Sequence, residues 1–162
     1  MTFSITGTDQ VTENSFDADG NEAPYTISHD GTLAPGETAS IDVTQIFDDT
    51  ISVDYETDLE TAIQDAISAL TNANISFNNG KTLQFDSGDH SSLTFTLPIT
   101  DDRDKESGGD FQIRIDNPQV SNGLAAVGLY AWNTTIINDD LVDAIILDDG
   151  DAAPGFDTTL VG

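Results

Sequence analysis

Short runs in which apolar and polar residues alternate, cut off by turn-forming residues, recur along most of this chain, and that period suits half-buried β-strands. Ala39, Ile41 and Val43 alternate after a turn at Pro35 and Gly36, and Ile51, Val53 and Tyr55 alternate after Asp48 and Asp49. Residues 11–13, 25–28, 75–77, 82–85, 92–99, 111–116, 125–132 and 133–138 read as further strands, with turns at 16–21, 78–80 and 87–89. One segment breaks the pattern. Between positions 57 and 72, Leu59, Ala62, Ile63, Ala66, Ile67 and Leu70 recur at three- and four-residue spacing, which predicts one helix of about four turns. Thr57 and Glu60 stand at the spacing of a capping box at its start. Many short strands and one helix predict an all-β, two-sheet sandwich with the helix inserted over a sheet or an open end.

A chain of 162 residues suits one domain. Its 30 acidic residues against 4 Lys and Arg give a formal net charge of -26. A phosphate backbone or an anionic membrane is repelled by such a field, and no basic cluster offers a local footprint, so nucleic acid is excluded as an expected partner. The absence of cysteine excludes disulfides and thiolate zinc sites. Residues 1–20 lack a basic region followed by an apolar one, and no run reaches the roughly 18 apolar residues of a membrane span, so membrane insertion is not expected and export requires a signal outside these residues.

The stretch LTFTLPITDDRDKES followed by GGDFQIRIDNP resembles the Calx-β family in the order and spacing of a strand, paired aspartates, a glutamate and a second strand opening with Phe. KTLQFDSGDHSSLTF is similar to the family's preceding hairpin, TTIINDD to its final strand and acidic end, VTEN to its opening strand, and ISVDYET to the strand before a flexible loop. The resemblance covers most of positions 10–140 and departs at 57–78. It implies a two-sheet Greek-key, immunoglobulin-like sandwich over 1–140 with a helical insertion near 57–73, leaving 141–162 as an extra edge strand or a C-terminal linker. It also implies Ca²⁺ as ligand, held by Glu13, Asp101, Asp102, Glu106, Asp139 and Asp140. Gly109 stands where the family has a second glutamate, with Asp110 beside it as a partial replacement, and Asn138 takes the first place of a terminal aspartate triplet.

The residues support the same chemistry independently. Asp101 and Asp102 follow one apolar strand and Asp139 and Asp140 another, so a sandwich brings both pairs to one end. Converging carboxylates repel unless a cation intervenes, and Ca²⁺ accepts six to eight oxygens in flexible geometry, whereas Mg²⁺ prefers to keep its waters. Other polar clusters read as structural. Asp17, Asp19 and Asn21 lack the closing glutamate and flanking helices of an EF-hand, and Asp148, Asp149 and Asp151 read as a wet turn. His29 and His90 read as surface residues without a neighbouring nucleophile, so no enzyme activity is expected. Trp132 and Tyr130 are assigned to the core, and Asn74 and Asn133 open formal glycosylation sequons. The expected function is a calcium-stabilised structural or adhesive module, extracellular or at the cell surface, partnered by neighbouring domains or subunits. A virion or sheath decoration protein packing on other proteins at the virion surface, and a calcium sensor, are the alternatives.

Overall fold

The computed structural model describes residues 1–12, 22–47, 59–99, 109–128 and 131–138. Among these, ten strands and one helix occur: β1 (Thr2–Gly7), β2 (Gln10–Thr12), β3 (Glu22–His29), β4 (Thr38–Phe47), α1 (Leu59–Ser68), β5 (Ile75–Asn78), β6 (Thr82–Asp86), β7 (Ser92–Pro98), β8 (Gly109–Val120), β9 (Ala126–Val127) and β10 (Trp132–Asn138). They form a four-stranded sheet in the order β7-β3-β1-β9 and a six-stranded sheet in the order β2-β10-β8-β4-β6-β5. The result is the β-sandwich expected from the alternation.

Period-two alternation sets which side chains meet between the sheets. Phe3 and Ile5 of β1, Tyr25 and Ile27 of β3, and Leu93, Phe95 and Leu97 of β7 face Ile41 and Val43, Leu83 and Phe85, and Phe111, Ile113 and Ile115 of the other sheet, all essentially inaccessible to solvent. Tyr25 stacks on Phe95 at 5.6 Å between ring centroids and lies tilted against Phe111 at 6.3 Å. The β5–β6 hairpin turns at Asn79 and Gly80, whose φ values of 58° and 64° suit a tight two-residue turn that follows the twist of the strands.

The helix closes one flank. Strand β7 is an edge of the four-stranded sheet and β5 an edge of the six-stranded one, and α1 packs against both. Leu59, Ala62 and Ile63 point inward, and the Gln64 amide donates to the Phe77 carbonyl of β5 at 3.0 Å. Covering two edges removes two templates for unwanted strand pairing. The described helix ends at Ser68, short of the expected position 72, where the Leu70 amide bonds to the Ile67 carbonyl and Asn72 adopts φ 54°. Thr57 and the strand expected at 51–55 lie outside the described residues.

Two sequence expectations need correction. Residues 125–132 do not form one strand: β9 pairs in parallel with β1, whereas Trp132 opens β10 in the other sheet. Trp132 also leaves the core, being 52% exposed, because its register opposite Arg114 puts it on the outer face, with the guanidinium 5.9 Å from the ring centre. Strand β1 went unassigned from sequence although Phe3 and Ile5 alternate.

The closing role of α1 is testable. Ile63 is fully buried, so Ile63→Ala is expected to cost about 2–5 kcal/mol, read as a lower urea midpoint at unchanged slope. A cost below about 0.5 kcal/mol, the usual range of a surface change, would show that the helix only decorates the flank.

Candidate metal centre at one end of the sandwich

Strand registers define the end of the sandwich at which the expected ligands arise. Thr12 at the end of β2 pairs with Asn138 at the end of β10, and Ile137 pairs with Gly109 at the start of β8. In the other sheet Glu22, opening β3, pairs with Pro98, closing β7. Phe47, closing β4, pairs with Phe111 near the start of β8. Six strand ends from both sheets therefore share what is called here the upper end.

What holds the two sheets in register there is the passage of the chain from β1 into β2. Thr8 and Asp9 cross between the sheets, with the Thr8 amide bonded to Pro24 O and the Ile136 amide to Asp9 O. The Thr135 hydroxyl donates to Thr8 O at 2.6 Å. That use of its one proton assigns the 2.5 Å bond between Tyr25 and Thr135 to donation by the tyrosine. Burial pushes the Tyr25 phenol above its ordinary pKa, only partly opposed by that bond, and keeps it a donor. The Asn133 amide donates to Gly7 O at 3.3 Å and to Asp9 Oδ1 at 3.2 Å. A Cβ on Gly7 would collide with the Tyr25 ring, so the close approach demands glycine.

Of the seven expected ligands, Asp110 alone lies among the described residues. It sits on β8 opposite Ile136, partly exposed near the upper end. Glu13, Asp101, Asp102, Glu106, Asp139 and Asp140 lie outside the described residues, as do Asp17, Asp19, Asn21, Asp148, Asp149, Asp151 and Tyr130. The strand ends next to them in sequence are described: Thr12 precedes Glu13, Asn138 precedes Asp139, and Ile99 and Gly109 bracket the segment carrying Asp101, Asp102 and Glu106. Among the described residues no group of three or more His, Asp or Glu side chains is arranged to hold an ion.

One buried acid is consumed structurally. Asp42 stands at a register shift between β4 and β8, accepting from Thr82 Oγ1 at 2.8 Å and Asn117 Nδ2 at 3.1 Å, with Lys81 Nζ at 3.4 Å. Burial pushes its carboxyl pKa up, but these donors and the lysine charge outweigh burial and hold it below the ordinary value. Both sequon asparagines are likewise engaged. Besides Asn133, Asn74 donates to Asp86 O at 2.7 Å and His90 O at 3.0 Å and accepts from the His90 amide, pinning the lower-end loop to β5.

One of the two histidines differs from expectation. His29 is buried, and it shares with His90, Asp86 and Asp89 the lining of a cavity of about 200 Å³ at the lower end. It packs edge-on against Phe3 and Phe85, at 5.8 and 4.9 Å, and among the described residues neither ring nitrogen has a hydrogen-bond partner of good geometry, the Gly31 backbone being the nearest polar neighbour that acts on the ring. Its position continues the inward series Ala23, Tyr25, Ile27 along β3, a signal available in the sequence. Burial pulls its pKa below the ordinary value, partly opposed by the Gly31 backbone and the Asp30 charge. The unfolded chain therefore takes up this proton first as pH falls below about 6.5, and the fold loses stability from there down to the folded pKa. His29→Leu is expected to remove that component. The stability difference between the variant and the original should widen in the variant's favour as pH drops from 7 to 5, by about 1.4 kcal/mol per pKa unit of depression. A difference independent of pH would contradict a buried neutral histidine.

No family model matches this sequence, and no curated protein matches it. Among solved structures, the Calx CBD2 domain superposes with a TM-score of 0.55 at 14% identity, covering 91% of this chain and 94% of that domain. CBD12 from CALX1.2 superposes with a TM-score of 0.55 at 21% identity, covering 86% of this chain and 44% of the other, so this chain spans less than half of that structure. At such identities the likeness concerns the fold: this chain is a β-sandwich of the kind seen in Calx CBD domains.

Proposed function

We propose that this protein is a calcium-binding structural module in which Ca²⁺ ties together the chain segments leaving the upper end. The observation that carries the reading is the pairing of Thr12 with Asn138 and of Ile137 with Gly109. Glu13 follows the first of these residues directly, Asp139 and Asp140 follow the second, and the segment with Asp101, Asp102 and Glu106 runs into Gly109. Three acid-bearing segments thus adjoin three neighbouring strand ends. Asp110 supplies a further carboxylate near the same end.

In a chain with 26 excess negative charges, acids placed together repel one another and destabilise the fold unless a cation joins them. An ion bound only by the native state adds stability by mass action. The resemblance in the order of the acids and the shared sandwich fold support Ca²⁺ over Mg²⁺, whose small octahedral shell suits such a cage poorly. The module is extracellular or surface-bound in this reading, serves assembly or adhesion beside neighbouring domains or subunits, and catalyses no reaction.

Calorimetric titration of the full chain with CaCl₂ after chelation is expected to show saturable binding that Mg²⁺ does not reproduce. At calcium a hundredfold above Kd the fold should gain about 2.7 kcal/mol. Replacing Asp139 and Asp140 by Asn, or Asp101 and Asp102 by Asn, should weaken binding at least tenfold without altering the β-type circular dichroism spectrum. Absence of a binding signal together with an unchanged melting temperature would refute the proposal.

A further inference from the structure

Among the described residues, the outer edge of β10 is only half used. Ile115 donates to Ala131 O, and Ile136 donates to Asp9 O on the opposite side. In an antiparallel pair successive residues direct their backbone groups to alternate sides, so the N–H and C=O of Trp132 and Thr134 point away from β8. Strand β2 occupies that edge only at Ile136, Ile137 and Asn138. Among the described residues no strand pairs with Trp132 or Thr134 there. Beside this open backbone lies a groove of about 490 Å³, lined by Ile5, Thr6, Gly7, Asp9, Trp132 and Ile136 among others. Trp132 and Ile136 are about half exposed along it. An open strand edge beside an apolar groove is the arrangement that accepts an added strand.

The chain carries a segment of matching chemistry. Twenty-four residues follow Asn138, and they include LVDAIIL, with the apolar run Ala144, Ile145, Ile146 and Leu147. A direct return of that run to its own groove is opposed by β2, which lies on the same edge of β10 immediately above Thr134. Only residues 139–143 separate the run from β10, and a direct return would have to pass around β2 within their extended reach of about 3.3–3.6 Å per residue. A second molecule has no such restriction.

We propose that residues 144–147 of one copy add as a strand to the Trp132–Thr134 edge of another, with an Ile side chain seated in the groove. Donor and acceptor are different surfaces, so the contact is head-to-tail: two copies that exchange segments close as a dimer, and a one-way contact propagates into rings or open chains. The net charge of -26 on each copy opposes association, so assembly should grow as salt screens that charge. The proposal is independent of the calcium reading, and its test runs in chelator so that either can fail alone.

Sedimentation velocity of the full chain at rising concentration and salt should show species larger than monomer. Two variants separate donor from acceptor. Thr134→Pro removes the open-edge N–H at a position where an edge strand tolerates proline, and Ile136→Asp serves as a second acceptor variant should the first not fold. Ile145→Asp combined with Ile146→Asp disables the donor. Each variant alone should be monomeric with an unchanged circular dichroism spectrum, and mixing an acceptor variant with the donor variant should restore dimers and nothing larger. The emission of Trp132, the single tryptophan, should shift to shorter wavelength in the mixture. A full chain that stays monomeric at high salt, or assembly that survives both classes of variant, would overturn the proposal. So would a monomer whose Trp132 emission changes on disabling the donor, since that places the segment in its own groove.

Discussion

The crossing of the chain from β1 to β2 is the contact on which the arrangement of this sandwich depends. Two sheets held together only by apolar packing slide at little cost, because dispersion and burial are non-directional. Here Tyr25 on one sheet donates to Thr135 on the other, and the Thr135 hydroxyl donates in turn to the Thr8 carbonyl in the crossing segment. Hydrogen bonds have direction, and this chain of them fixes how β3 and β10 lie relative to each other. The register at the upper end follows, including the pairing of Thr12 with Asn138. A glycine at position 7 is the local requirement, since only the missing side chain lets the tyrosine ring approach.

The acidity of the chain divides by position. Asp42 is buried and satisfied by Thr82, Asn117 and Lys81, so it contributes to the fold without any ion. The surface acids keep copies apart and solvated at low salt. The acids next in sequence to the paired strand ends are the ones on which the proposed Ca²⁺ site rests, since carboxylates brought together repel unless a cation joins them.

Local periodicity carried most of the fold. The helix, the hairpin turning at Asn79 and Gly80, and strands β3 to β8 all declare themselves within a few residues, because each signal is a repeat or a turn requirement local to the chain. What escaped depends on the partner sheet. Nothing in residues 125–132 marks that Val127 pairs with β1 while Trp132 pairs with β8, since both are compatible with a strand. Alternation around Ala131 requires one face of that strand to be inward, but the register with Arg114 puts Trp132 on the other. His29 follows the inward alternation of β3, although its place next to a turn reads as surface. Of the site, the order of the acids is legible in sequence and the meeting of the adjoining strand ends is visible in the fold.

The central claim, that Ca²⁺ binds at the upper end, is tested most directly by following backbone amide resonances of the isotopically labelled chain during a calcium titration. Saturable shifts are expected at Thr12, Gly109, Asp110 and Asn138, with the lower-end residues Gly31, Gly88 and Asp89 unmoved. Shifts absent at saturating calcium, or spread evenly over the acidic surface or centred on the lower end, would contradict the account.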